Sequence, residues 1–257
     1  MTNLRGYWNN RYSAADLTRA SGTFVHTENA NRWFYRTKVR RIQKILGDAR
    51  VSLAGAHVLD VACGTGAFVP LWLEMGAARV VGLDISDKAV EMCAARFADS
   101  GKCQFHQLNL ASNPPDLDPG RFDFICIFEA IFLLTEQEPF LTGLRNLCSW
   151  LKPGGWLLIS DQFPDKTVPR HERLTYHARS LYESVFKDQG VQLIDLFRQT
   201  CVFNRHIFPE RIQSFVEARC PWTIYLLDQI LVRSPIRNRP GMDEVYYCLA
   251  RKAAAGS

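Results

Sequence analysis

His57-Val58-Leu59-Asp60-Val61-Ala62-Cys63-Gly64-Thr65-Gly66 joins a short apolar run to a glycine turn. The run is too short for a core helix and reads as a buried strand. A glycine turn at the carboxyl end of a first strand lets backbone approach a ligand, and the helix that follows, expected over residues 68–75, offers unbonded N–H groups. Arg79-Val80-Val81-Gly82-Leu83-Asp84 reads as a second strand. Its last residue, Asp84, lies twenty positions beyond Gly64, where an acid accepts hydrogen bonds from ribose hydroxyls. A glycine turn alone is weak; strand, turn, helix, strand and acid in this register are much more specific.

The same alternation continues outward. A helix is expected over 88–97, a third strand over 103–109, a fourth over 122–128, and a helix over 138–151. Lys152-Pro153-Gly154-Gly155 reads as a turn before a fifth strand at 156–160, a helix at 179–189 and a sixth strand at 191–198. Glu244 to Ala250 reads as the last strand. Strands alternating with helices of this length predict an α/β fold, a doubly wound, mostly parallel seven-stranded sheet covered on both faces. The expected organisation is one domain, 1–257. Residues 1–50 form an N-terminal helical lid, 55–200 the cofactor-binding core, 203–240 a helical cap, and 243–252 the last strand. The tail from Ala253 is expected to be disordered.

The details of the turn disfavour a dinucleotide. The third glycine of G-x-G-x-x-G is Val69 here, and Asp60 precedes the turn within the first strand. Asp60 would repel a pyrophosphate and attract an ammonium or sulfonium. The ligand reads as a nucleoside carrying a positive group.

With these residues the chain resembles the class I S-adenosylmethionine-dependent methyltransferases. The resemblance rests on Val58-Leu59-Asp60-Val61-Ala62-Cys63-Gly64-Thr65-Gly66, on Val81-Gly82-Leu83-Asp84-Ile85-Ser86 and on Leu151-Lys152-Pro153-Gly154-Gly155. It covers residues 55–165 well and the last strands more loosely. It implies a Rossmann-like methyltransferase fold and S-adenosyl-L-methionine as cofactor. Asp60, Gly64 and Gly66 would surround its methionine part, Asp84 would hold the ribose, and Ile85 would lie against adenine. Asn109 and Leu110 match the place where the family often has an acid at the adenine amine. Phe128 and Glu129 would border the methyl-transfer site. Plain core packing is the alternative for Phe128 and Ile85. Tyr7-Trp8-Asn9-Asn10-Arg11-Tyr12 resembles the start of small-molecule methyltransferases, so Arg11 is the candidate cation for the cofactor carboxylate; a surface arginine is the alternative.

Methyl transfer needs alignment and exclusion of water, plus a general base where the acceptor is a hydroxyl. Glu129 and His177 are the leading candidates, with Asp161 and His171 behind them and an ordinary polar role as the alternative for each. No metal site is expected. Asn113-Pro114-Pro115 resembles the core of base-modifying amino methyltransferases but precedes the fourth strand, and two prolines in a polar loop is the better reading.

The net charge of +5 conceals a balance of +7 in residues 1–50 and −2 in the remainder. A basic end suits nucleic acid, an anionic ligand, or simply a solvated helix. Beside a cofactor fold the lid reading is preferred, with a natural-product or sugar-like small molecule as acceptor, O-methylation favoured, and a small-molecule nitrogen, or nucleic acid or protein, as the rival. None of the eight cysteines forms a C-x-x-C pair, so free thiols in a reducing compartment are expected. No apolar run would span a membrane, and a cytoplasmic location follows as the expectation. Oligomeric state is left open.

Overall fold

The computed structural model describes residues 3–13, 28–112, 117–200, 215–216, 219–231 and 245–254. Seven strands form one sheet: β1 (His57–Val61), β2 (Arg79–Asp84), β3 (Cys103–Gln107), β4 (Phe122–Phe128), β5 (Leu151–Asp161), β8 (Val191–Arg198) and β9 (Tyr246–Lys252). Their order is β3-β2-β1-β4-β5-β9-β8. Pairings among β1 to β5 are parallel, whereas β9 runs antiparallel to both β5 and β8. Strand order reverses between β1 and β4, and a doubly wound sheet opens a ligand crevice at such a switch point, outside the strands' carboxyl ends.

Helices α1 (Leu4–Tyr12), α2 (Glu28–Asp48), α3 (Val69–Glu74), α4 (Asp87–Arg96), α5 (Gln137–Trp150), α6 (Arg179–Asp188) and α7 (Pro221–Leu231) complete the described elements, with two single 3-10 turns. The side-chain period of two divides the core between the sheet's faces. Leu59, Val61, Ile125, Ile127, Leu157 and Ile159 meet α5 and α6 on one face. Val58, Phe124, Cys126, Leu158, Tyr247 and Leu249 meet α2 and α3 on the other. Asp60 and Phe128 continue the second set along β1 and β4, which fixes what they can touch.

Several boundaries differ from the sequence reading. α5 runs directly into β5, and Lys152 to Gly155 belong to that strand. Phe122 pairs with Leu151 and Phe124 with Trp156, so the glycine pair bulges out of the ladder instead of preceding it. A hairpin of β6 (Val168–His171) and β7 (Leu174–Tyr176) was not anticipated; its strands are three and four residues long, too short for a periodic signal. Ala253, assigned to a disordered tail, donates to the Gly190 carbonyl at 2.8 Å. Of the cap expected at 203–240, α7 is described; most of the remainder, like Asn113-Pro114-Pro115, lies outside the described residues. Among the described residues, no helix is long and apolar enough to cross a membrane.

Candidate active site

The glycine turn leaves β1 through backbone that side chains rarely adopt. Ala62, Gly64 and Gly66 have φ of +56°, +55° and +71°. A Cβ on Gly66 would lie 2.7 Å from the Phe97 ring and 3.1 Å from Cys93 Sγ; one on Gly64 would meet the Tyr12 hydroxyl at 2.9 Å. Both positions therefore require glycine for conformation and for space. Beyond Ala62, three residues hold the left-handed conformation without being glycine: Arg50 at +54°, in the turn after α2, Glu129 at +52°, directly after β4, and Phe163 at +51°, just beyond β5. Strained backbone of this kind costs about 1–3 kcal/mol per residue and gathers at functional sites. Ala62, Glu129 and Phe163 follow three adjacent strands on the carboxyl edge.

Asp84 ties the turn to the second strand. One carboxylate oxygen accepts from the Gly64 amide and the other from the Ser86 amide, each at 2.9 Å. The side chain is 6% exposed, and burial raises its pKa. Ile85 follows it, half-buried, its carbonyl accepting from Gln107 Nε2. Asn109 is exposed and closes a local turn, its Oδ1 accepting from the Ala111 amide; Leu110 is fixed by Asn146 Nδ2, which donates to its carbonyl at 2.9 Å. Asn146 lies on α5, far along the chain, and nothing in the sequence pattern marked it.

Helix α1 closes this side. Arg5 makes two 2.9 Å bonds to Asp87, Asn9 Nδ2 donates to Asp87, and Ser86 Oγ donates to Asn9 Oδ1 at 2.6 Å. Tyr12, 7% exposed, brings its hydroxyl to Gly64; burial and the Asp84 charge push its pKa up. Tyr12 belongs to the motif quoted for Arg11 and was passed over for its charged neighbour. The Arg11 guanidinium lies over the Trp8 ring, 4.8 Å from its centroid.

Asp60 faces α3, as its register demands, and accepts from Trp72 Nε1 at 3.1 Å. It is 2% exposed, and burial raises its pKa to about 7. Phe128 packs edge-on against Phe68 and Tyr247, with centroids at 4.8 and 5.5 Å. Glu129 donates its amide to Ser160 Oγ at 2.8 Å, and its carboxylate receives Lys38 Nζ of α2 at 2.7 Å. His177 is not among these groups. It stacks on Phe140 of α5 at 4.0 Å, on the opposite face of the sheet, and its Nε2 donates to the Leu134 carbonyl at 2.8 Å. Burial lowers its pKa. His171 stands exposed on the small hairpin, and Asp161 is buried against Tyr182.

Much of the N-terminal positive charge is engaged within the chain. Lys38 pairs with Glu129, Arg5 with Asp87, Arg32 with Glu28 and Lys44 with Asp48, while Arg41 donates to the Arg198 carbonyl. Among the described residues, no group of three or more His, Cys, Asp or Glu is arranged to hold a metal ion. The seven described cysteines are free thiols.

Residues 58–155 match the family described as methyltransferase domain. A ubiquinone biosynthesis O-methyltransferase of Thiobacillus denitrificans is 35% identical over 114 residues, 44% of this chain and 47% of that protein. O-methyltransferase resE of Aspergillus sclerotiorum is 26% identical over 192 residues, 72% of this chain and 70% of that one. The chain spans about half the length of the ubiquinone-pathway relatives it matches, 47% for the first. Among solved structures, magnesium protoporphyrin IX methyltransferase from Synechocystis PCC 6803, with S-adenosylmethionine bound, aligns with a TM-score of 0.58 and 16% identity, covering 98% of this chain and 96% of that one. The cyclase SpnF aligns at 0.56 with 18% identity, covering 83% and 81%. A fold shared with a cyclase does not name a reaction, but the family match falls on the glycine turn, the Asp84 strand and β4. Over residues 58–155 the chain carries a class I S-adenosylmethionine-dependent methyltransferase domain.

Proposed function

We propose that this protein transfers a methyl group from S-adenosylmethionine to a hydroxyl oxygen of a small molecule. The observation that carries the reading is the buried Asp84 carboxylate of β2 bound to the Gly64 amide of the turn after β1, next to the switch point of the sheet. That turn fits the cofactor: at Gly64 and Gly66 the backbone takes a conformation, and packs against Tyr12 and Phe97 with a closeness, that a Cβ would prevent, and two buried acids, Asp60 and Asp84, suit a nucleoside bearing a cation. O-methyltransferases among the relatives support oxygen as the acceptor atom.

The bound cofactor supplies a methyl group already activated by its sulfonium. Asp84 holds the ribose hydroxyls, Ile85 and Leu110 flank the adenine, and Asn109 meets its amine. Gly64, Gly66 and Asp60 border the methionine part, and Arg11 of α1 faces its carboxylate. Phe128 excludes water from the transfer site. Glu129 takes the acceptor's proton: it follows β4 on the carboxyl edge, and a third of its side chain is exposed, 33%. His177, with Nε2 committed to a carbonyl on the other face, serves packing. Two cations of the basic segment, Arg5 and Lys38, are taken up by acids outside it, Asp87 and Glu129, which favours a small molecule over nucleic acid.

The test is a screen of hydroxyl-, amine- and carboxyl-bearing acceptors, followed by release of S-adenosylhomocysteine. Turnover with a hydroxyl compound, reduced by orders of magnitude in Glu129→Gln, is the expected result. Turnover confined to amines or to RNA would overturn it.

A further inference from the structure

On the face that carries α2, four polar side chains meet at the sheet's carboxyl edge. Lys38 is 3% exposed, its ammonium 4.1 Å from the Phe34 ring centroid and 5.1 Å from that of Tyr35, and it ends on Glu129 Oε1 at 2.7 Å. Tyr247 sits on β9 opposite Ser160 of β5 and Phe197 of β8, fully buried. Burial and then the Glu129 charge push its phenol up, so the two side chains are electrostatic neighbours. Gln199, 1% exposed, is fixed by its amide to the Val245 carbonyl at 2.9 Å.

The Tyr247 hydroxyl and Gln199 Nε2 are buried and, among the described residues, neither makes a hydrogen bond of standard geometry, although the two side chains are near enough to interact. A buried donor left unpaired is costly. Both are donors, and one oxygen atom placed between them satisfies both. Beside them Tyr35 and Phe128 are only half-buried, and Glu129 presents a carboxylate whose charge Lys38 balances.

We propose that Lys38, Glu129, Gln199 and Tyr247 form an acceptor subsite for a phenol, its ring against Tyr35 and Phe128 and its oxygen held by Tyr247 and Gln199. This rests on the methyltransferase reading and names the substrate class. The phenol's O–H bond breaks and its proton passes to Glu129, while Lys38 balances the charge left on oxygen. The oxygen–methyl bond then forms as the methyl–sulfur bond breaks, its electron pair remaining on sulfur. Glu129 returns the proton to water. Lys38 is thus a positioning residue, acting through Glu129 and through the phenolate's charge.

The experiment titrates 4-nitrophenol into the full chain saturated with S-adenosylhomocysteine, reading heat and the visible phenolate band. Saturable binding is expected, weakened about tenfold in Tyr247→Phe and in Gln199→Leu. Lys38→Met lowers the phenolate fraction of the bound probe and Lys38→Arg restores it, which a structural role for Lys38 would not produce. Should Lys38→Met fail to fold, the Lys38→Arg and Tyr247→Phe titrations decide. If S-adenosylhomocysteine binds but 4-nitrophenol does not, or if Tyr247→Phe binds it as the parent does, the subsite is wrong. If S-adenosylhomocysteine itself does not bind, the methyltransferase reading fails and the subsite with it.

Discussion

Asp84 does two jobs with one carboxylate. Its two oxygens fasten the Gly64 and Ser86 amides, so the acid that would meet the ribose also holds the turn that would meet the rest of the cofactor. Asp84→Ala is therefore expected to weaken S-adenosylhomocysteine binding by roughly 1–3 kcal/mol, the range of a lost charge-assisted hydrogen bond. Calorimetric titration measures it, and an unchanged affinity would remove Asp84 from the ribose. The place of Asp84, at the end of β2 beside the glycine turn, was legible because strand periodicity and a spacing of twenty residues locate it. Lys38 and Tyr247 were not, since their meeting with Glu129 depends on how α2 and β9 cross the sheet. A basic residue on a basic helix carries no local sign of burial.

At the scale of elements, α1 is held mainly through side chains on α4's first turn. Asn9 both donates to Asp87 and accepts from Ser86 Oγ, and the paired Arg5 draws the Asp87 pKa down to about 2. Asn9→Ala should lower cofactor affinity about fivefold, near the ~1 kcal/mol of one hydrogen-bonded contact, while the unfolding midpoint stays nearly constant. Titration and a thermal melt together check this; a lowered midpoint with unaltered affinity would make α1 a stability element instead. Long periodic elements such as β4 and β8 were legible to the residue, because a buried run or an even alternation bounded by turns has one reading. The β5 bulge and the short hairpin were not. A Pro-Gly-Gly sequence signals a turn whether it ends a strand or loops out of one, and only the β4 ladder decides.

For the whole molecule, each face of the sheet buries an acid whose pKa is strongly raised. Asp60, against Trp72, and Asp161, against Tyr182, both have pKa values raised by burial from 3.8 to about 7. The folded state thus holds protons that the unfolded chain releases between those values. Stability from these groups is complete below the unfolded pKa and is lost as pH rises through about 7. The apo protein should melt at a higher temperature near pH 5.5 than near pH 8, and Asp161→Asn should flatten that slope; a melting temperature that climbs with pH would contradict it. Fold class and cofactor edge were legible at this scale because seven alternating strands and the glycine turn leave few topologies. The destination of the basic excess was not, because composition cannot distinguish a lysine facing solvent from one facing Glu129. The most direct measurement for the whole account is calorimetric titration of the intact chain with S-adenosylhomocysteine and, separately, with NAD. Saturable binding of S-adenosylhomocysteine and none of NAD is predicted; NAD binding, or no heat with S-adenosylhomocysteine, would contradict it.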